Sequence, residues 1–288
     1  MRQPAEHFSA TQATIPTELD AQAVWRWPLE RIPRWDVRAL ARLTARLALR
    51  QVAEVVNWQQ LLPDRDPFIL VANHGSRREA VYLSALCLLV RSGKPVRFLA
   101  DWNFRLIPGV GYFYDHSGAI LVTGKPARPR ILNRLKPRFT RHGPPLEQAR
   151  ATLVGGGSVG VFPEGTVNRR ADQLLRGRYG AARLSLELGV PLLPVGLRFL
   201  GPGRPDGLCD SSAPLRIAIG RPLHPPQAAA STSPGQVLDW HRETMAAIAE
   251  LCGKAWTRGN ALHPTPRVTD AIHSDIPQDQ PAQGGSVC

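Results

Sequence analysis

Residues 68–79 read FILVANHGSRRE, an apolar run with β-branched Ile69 and Val71 that breaks into a polar turn carrying His74 and Glu79. An apolar run of this length, closed by Asn, Gly and Ser, reads as a buried strand ending in a loop. A second stretch, SVGVFPEGTVNRR at 158–170, repeats the plan. Sites in open α/β sheets collect beyond the carboxyl ends of the strands. The pair therefore predicts an enzyme whose chemistry is shared by two such loops.

Working outward, the chain supplies the alternating elements that such a sheet requires. Strands are expected at 68–72, 94–100, 159–162, 192–199 and 215–219, with Pro194 placing the fourth at an edge or a bulge. Helices are expected at 76–91, 145–154, 180–188 and 239–251, and Gly189 suits the left-handed cap of the third. The order implies an α/β fold, a mixed and largely parallel sheet flanked by helices. Residues 101–118 form a glycine-punctuated aromatic segment expected to line something rather than to be a simple helix. Residues 125–141 hold seven Lys or Arg and no acidic residue, the pattern of an exposed basic loop.

Ahead of the first strand the period changes. Asp36 can cap a helix over 36–60, in which Leu40, Leu43, Leu47 and Val55 fall roughly on one face. Arg38, Arg42, Arg46 and Arg50 follow at four-residue steps beside it, and Trp25, Trp27 and Trp35 precede it. An amphipathic helix of this composition lies on an anionic membrane surface; a helix packed on the domain with its arginines in water is the competing reading. Residues 1–35 are expected to be a loose arm, 36–258 the folded domain and 259–288 a disordered tail rich in Pro, Asp, Gln and Gly.

The formal net charge of +13 suits nucleic acid, anionic lipid or phosphorylated ligands. Nucleic acid is disfavoured as a partner, because the aromatics are not interleaved with the basic stripe as stacking platforms. Four scattered cysteines form neither a disulfide framework nor a metal-ligand spacing. No apolar leader run is visible near the N-terminus, and the longest apolar run, 80–90, is half the ~20 residues that a bilayer-crossing helix needs. A cytoplasmic, peripherally membrane-associated protein is expected.

His74 and Glu79 would diverge by about 140° on one continuous helix. They meet only if His74 lies in the turn and Glu79 in the first helical turn. Ser76 makes this plausible, because S-x-x-E is a capping box with Ser76 at the cap. So placed, Glu79 can approach one imidazole nitrogen while the other takes a proton from a hydroxyl. A purely capping role for Glu79 stays open beside it. In the second stretch Gly165 permits a sharp turn, Thr166 can cap or donate, and Arg169 and Arg170 suit phosphate. Glu164, repelled by an anion, suits a substrate hydroxyl or the orientation of the loop.

Taken together, NHGSRRE (73–79), IPGVGYFYDH (107–116), FPEGT (162–166) and VPLLPVGL (190–197) resemble the four ordered blocks of the glycerolipid acyltransferase superfamily, lysophosphatidic-acid acyltransferase type. The likeness covers about 36–220. It implies an O-acyltransferase with His74 as general base and Glu79 as its carboxylate partner. Asn73, Ser76, Glu164, Gly165, Thr166, Arg169 and His116 would contact substrate. The acyl group would come from acyl-CoA or acyl-carrier protein as co-substrate, with no permanently bound cofactor and no metal, and go to a lysophospholipid or related hydroxyl. The 36–60 helix stands where the family's membrane-touching element belongs, and the 125–141 loop could hold an acidic carrier protein.

Three positions depart from the family's pattern. Glu79 replaces the usual aspartate, His116 the arginine after the aromatic block, and Val167 the arginine after FPEGT. The last two remove permanent charges suited to phosphate. A non-catalytic lipid-binding relative, or a hydrolase presenting the thioester to water, are the rival readings. The one G-x-S-x-G match, GGSVG at 156–160, leads into an expected strand rather than from a strand into a helix, so it is no nucleophile elbow, which disfavours the hydrolase.

Overall fold

The structure, a computed structural model, describes residues 23–107, 110–122, 124, 126–127, 129–139, 143–202, 204–226 and 232–257. The expected tail at 259–288, most of the expected arm, and Lys125, Arg128 and Arg141 of the basic loop lie outside the described residues.

The strands are β1 (Val52–Val56), β2 (Ile69–Ala72), β3 (Val96–Asp101), β4 (Ile120–Val122), β5 (Ser158–Val161), β6 (Leu192–Phe199) and β7 (Leu215–Ile219). They form one seven-stranded sheet in the order β1-β7-β6-β2-β5-β3-β4. All neighbours are parallel except β6 and β7, so the sheet is mixed and largely parallel, as the sequence implies. The helices are α1 (Ala23–Arg26), α2 (Trp35–Leu49), α3 (Arg77–Val90), α4 (Val110–Ser117), α5 (Lys136–Phe139), α6 (Pro145–Val154), α7 (Gly180–Leu188) and α8 (Pro234–Cys252).

β2 shows how the sheet is buried. Its alternate side chains point to opposite faces: Leu70 and Ala72 join Leu83 and Leu86 of α3, whereas Ile69 and Val71 join Leu153 of α6, Leu184 of α7 and Ile248 of α8. Covered on both faces, the strand reads as an unbroken apolar run. β5 pairs beside it with Val71 opposite Val161. The loops that follow these two strands therefore leave the same edge of the sheet, side by side.

The opposite ends of β2 and β5 are fixed by charge. Arg91, fully buried, donates to both Asp66 oxygens at 2.7 and 2.6 Å, and Ser158 Oγ also donates to Asp66. Ser158 Oγ in turn accepts from the backbone N–H of Phe68 at 3.1 Å. Paired and hydrogen-bonded in this way, a buried charge is tolerable, and removing one partner would strand the other.

Several expectations are corrected. The N-terminal helix stops at Leu49 rather than reaching residue 60, and 52–56 is the edge strand β1, whose β-branched valines pair with β7. The stretch 23–35 is not loose: Val24, Trp27, Leu29 and Ile32 are buried in the core. α2 packs through Val37, Ala41, Ala45 and Ala48, leaving Leu43 and Leu47 exposed. Two of its arginines turn back on the arm, Arg38 donating to the Ile32 carbonyl and Arg42 to that of Trp27. The aromatic segment contains the regular helix α4, and the basic loop a 3-10 turn, Arg130–Leu135, running into α5. β6 is central rather than an edge, and Pro194 sits at a bulge. Three steps from Leu192 to Val195 face four from Ile219 to Leu223. Gly220 donates to the Pro194 carbonyl on that side, where β7 has just ended, so the missing proline N–H costs no ladder bond.

Candidate active site

The loop after β2 is held by its neighbours before it offers anything to a ligand. Asn73, 1% exposed, spends its whole amide on β6: Nδ2 donates to the Leu197 carbonyl at 2.9 Å, and Oδ1 accepts from the Leu197 N–H at 2.7 Å. It clamps the loop to the strand. Ser76 takes the N-cap of α3 in extended conformation, and the capping box expected with Glu79 is formed.

Glu79 serves two purposes through one atom. Its Oε2 accepts from the Gly75 and Ser76 N–H groups at 2.6 and 2.8 Å and lies 3.4 Å from His74 Nδ1. That last distance is an ion-pair contact rather than a formed hydrogen bond, and Nδ1 and the Glu79 Oε1 are both buried without a hydrogen-bond partner. The capping and the dyad readings are thus compatible, because the carboxylate sits between the helix start and the imidazole.

The second loop grips the first. The His74 ring stacks on Phe162 with centroids 4.3 Å apart and planes 26° apart. The His74 backbone N–H donates to Glu164 Oε1 at 3.0 Å, and its carbonyl accepts from the Asn168 N–H at 2.6 Å. Glu164 Oε2 accepts from Asn168 Nδ2 at 2.7 Å and from the Leu175 N–H at 2.9 Å. Glu164 is buried, and desolvation pushes its carboxyl pKa above the usual range even against these donors. It therefore orients the loops, the second of the two roles that the sequence leaves open for it. Asn168, which completes this knot, carries no local sequence signal; only the fold reveals it.

The remaining predicted residues spread around this centre. Gly165 is exposed with φ +68°, the left-handed region that its lack of a side chain allows. Thr166 follows it, half-buried, and Arg169 is exposed, its carbonyl accepting from the Cys209 N–H at 2.7 Å. His116 stands apart in the last turn of α4, packed on the Tyr112 ring at 4.2 Å with Nδ1 2.8 Å from the Tyr112 carbonyl. With Nδ1–H so engaged, the ring presents a donor at Nε2 only when protonated. Tyr112 in turn donates to Asp36 Oδ2 at 2.7 Å, and this bond raises the phenol pKa.

One cation was missed by sequence reasoning. Arg178 lies along the FPEGT turn, its backbone N–H donating to the Pro163 carbonyl at 2.7 Å. A Cβ on Gly165 would come within 2.6 Å of Arg178 Nε, so the glycine is what lets the guanidinium lie there. Arg178 is exposed, and no carboxylate pairs with it among the described residues. Nothing local in the sequence marks Arg178; the fold brings it beside the FPEGT turn.

Comparison with known proteins follows the same lines. A family model described as Acyltransferase matches residues 54–198, from β1 through β6, and so spans both loops. The fold is similar to that of the crystal structure of the 1-acyl-sn-glycerophosphate (LPA) acyltransferase PlsC from Thermotoga maritima. The two are 20% identical, with a TM-score of 0.50 over 77% of this chain and 81% of that chain. No curated protein matches. Among the described residues no helix is long and apolar enough to cross a membrane, and no cluster of His, Cys, Asp or Glu could hold a metal ion. With both sequence blocks joined at one sheet edge and a family model spanning half of the chain, the chain belongs to the acyltransferase family.

Proposed function

We propose that this acyltransferase moves a fatty acyl group from the thioester of acyl-CoA or acyl-carrier protein to a hydroxyl of a lysophospholipid or related acceptor. The observation that carries the reading is the buried Glu79 carboxylate 3.4 Å from Nδ1 of a histidine whose ring is seated on Phe162. A carboxylate on that side favours the tautomer protonated at Nδ1 and stabilises the charge that develops on the ring. Nε2 is left as the base.

In the reaction Nε2 takes the acceptor's hydroxyl proton as its oxygen bonds to the thioester carbon. The tetrahedral oxyanion collapses, the C–S bond breaks, and the imidazolium returns the proton to the departing thiolate. Ester and free thiol result, with no covalent enzyme intermediate. Arg169 and Arg178, exposed beside the FPEGT turn, suit the phosphate of an acceptor. Arg178 replaces, from a different position, the charge that Val167 does not supply. The side chain of His116 is tied to Tyr112 through Nδ1, which leaves Nε2 for an acceptor.

Membrane contact through the N-terminal helix is supported by a different set of residues than its arginines. Trp35, Leu43 and Leu47 of α2 and Trp25 of α1 are exposed together with Arg34 and Arg50. An apolar surface edged by cations suits an anionic bilayer. A carrier protein at the basic segment 125–141 belongs to the same reading, with acidic against basic surface.

The experiment is a panel of labelled acyl-CoA and acyl-carrier protein donors against lysolipids with and without a headgroup phosphate. Labelled ester formed from an acceptor, in preference to free fatty acid, supports transfer. Release of free fatty acid at the same rate without acceptor would make the protein a hydrolase.

A further inference from the structure

Glu79 is one methylene longer than the aspartate that the resemblance leads one to expect, and the structure shows where the extra length goes. Gly75, buried in the turn between His74 and α3, leaves a space beside the carboxylate. A Cβ built on Gly75 would stand 3.0 Å from Glu79 Oε1, tighter than an ordinary carbon–oxygen contact. The same Cβ would have Phe199 Cε2 at 3.4 Å and Cys209 Sγ at 3.6 Å, so a methyl could not back away. Oε1 is itself buried and without a hydrogen-bond partner of its own, so the carboxylate is held by packing on that side and by the two N–H bonds to Oε2 on the other.

We propose that Gly75 is a positioning residue: its missing side chain is the space in which a glutamate, in place of an aspartate, partners His74. The carboxylate is one rigid group. A methyl at position 75 displaces Oε1, and Oε2 moves with it, away from the Gly75 and Ser76 N–H groups. It moves from His74 Nδ1 as well, where 3.4 Å is already the outer part of an ion-pair contact. An aspartate at position 79 draws the carboxylate back by about one bond length, ~1.5 Å, and leaves the methyl its room. Residues 75 and 79 are then coupled, each tolerating change only with the other. The inference rests on His74 acting as the base in acyl transfer, but its structural half does not.

The test compares wild type, Gly75→Ala, Glu79→Asp and the double variant. Gly75→Ala is expected to lower kcat by about tenfold or more, as misplacing a catalytic group by a fraction of an ångström does. On the Glu79→Asp background the same change should alter kcat by less than about twofold. An equal loss in both backgrounds, or no loss in wild type, overturns the proposal. Crystal structures of wild type and Gly75→Ala give a readout free of turnover. The Glu79–His74 separation should widen in the Gly75→Ala variant, and an unmoved carboxylate refutes the coupling. A Gly75→Ala chain that fails to fold while the double variant folds supports it; failure of both counts against it. If wild type transfers no acyl group to any acceptor, the functional reading falls, and the two structures still decide the placement of Glu79.

Discussion

The backbone N–H of His74 donates to the Glu164 carboxylate at 3.0 Å across ninety residues of sequence. The acid of the FPEGT block thereby holds the histidine. Asn168 completes the grip from the other side, its N–H donating to the His74 carbonyl. The two sequence blocks are one mechanical unit, and their separate mutation should be felt in the same place.

Replacing Glu164 by alanine removes the acceptor of the part-buried His74 and Leu175 N–H groups and one of the two acceptors of Asn168 Nδ2, the other being the Gln173 carbonyl. A stability loss of about 2–4 kcal/mol is expected from unsatisfied buried groups of this kind, read by denaturant unfolding, together with a fall in kcat. A variant of unchanged stability with only a raised KM for the acceptor would instead make Glu164 a substrate contact.

Arg178→Ala should leave stability nearly unchanged, since the side chain is exposed. It should raise KM for a phosphate-bearing acceptor by about tenfold, the worth of one charge-assisted bond. An acceptor without phosphate should show little change. Equal effects on both acceptors would place the guanidinium's role elsewhere.

Leu43→Ser with Leu47→Ser removes two exposed apolar side chains from α2. If that surface enters a bilayer, vesicle partitioning should fall by at least about tenfold, given ~1.5–3 kcal/mol per buried leucine. Arg38→Gln and Arg42→Gln should mainly loosen the 23–35 segment, because those side chains bond its carbonyls. The reverse pattern, with arginines governing vesicle binding and leucines silent, would restore the basic stripe as the contact.

The Tyr112–Asp36 bond makes a pH prediction. The neutral phenol is the form that donates, so its folded pKa is raised above the ordinary 10.0. The stability it adds is present below the unfolded pKa and is lost as pH rises through the folded one. In a spectrophotometric titration, with Tyr112→Phe assigning the transition, Asp36→Asn should move it to lower pH. No movement would show that α2 and α4 are not tied there.

Much of the architecture was legible because its signals are local. The cap at Ser76, the left-handed Gly189 and the apolar runs of β2, β5 and β7 announce themselves within a few residues. What escaped depends on partners distant in sequence. Val52–Val56 continues a helical-looking pattern and becomes a strand only because β7 lies beside it. Asn73 looks like a ligand contact until Leu197 is placed opposite its amide. The arginines of α2 look solvent-facing until the carbonyls of Trp27 and Ile32 are brought under them. Its alanine face gives little hydrophobic contrast, so the larger leucines drew the eye to the side that stays exposed.

The central claim is that the imidazole at the end of β2 deprotonates the acceptor, and one measurement meets it directly. Purified wild type and His74→Ala are given labelled acyl-CoA or acyl-carrier protein and a lysophospholipid, and single-turnover ester formation is timed while thermal unfolding is recorded in parallel. The rate should fall by about 10²–10⁴-fold with the unfolding transition in place. A His74→Ala protein that forms ester within a few-fold of the wild-type rate contradicts the account.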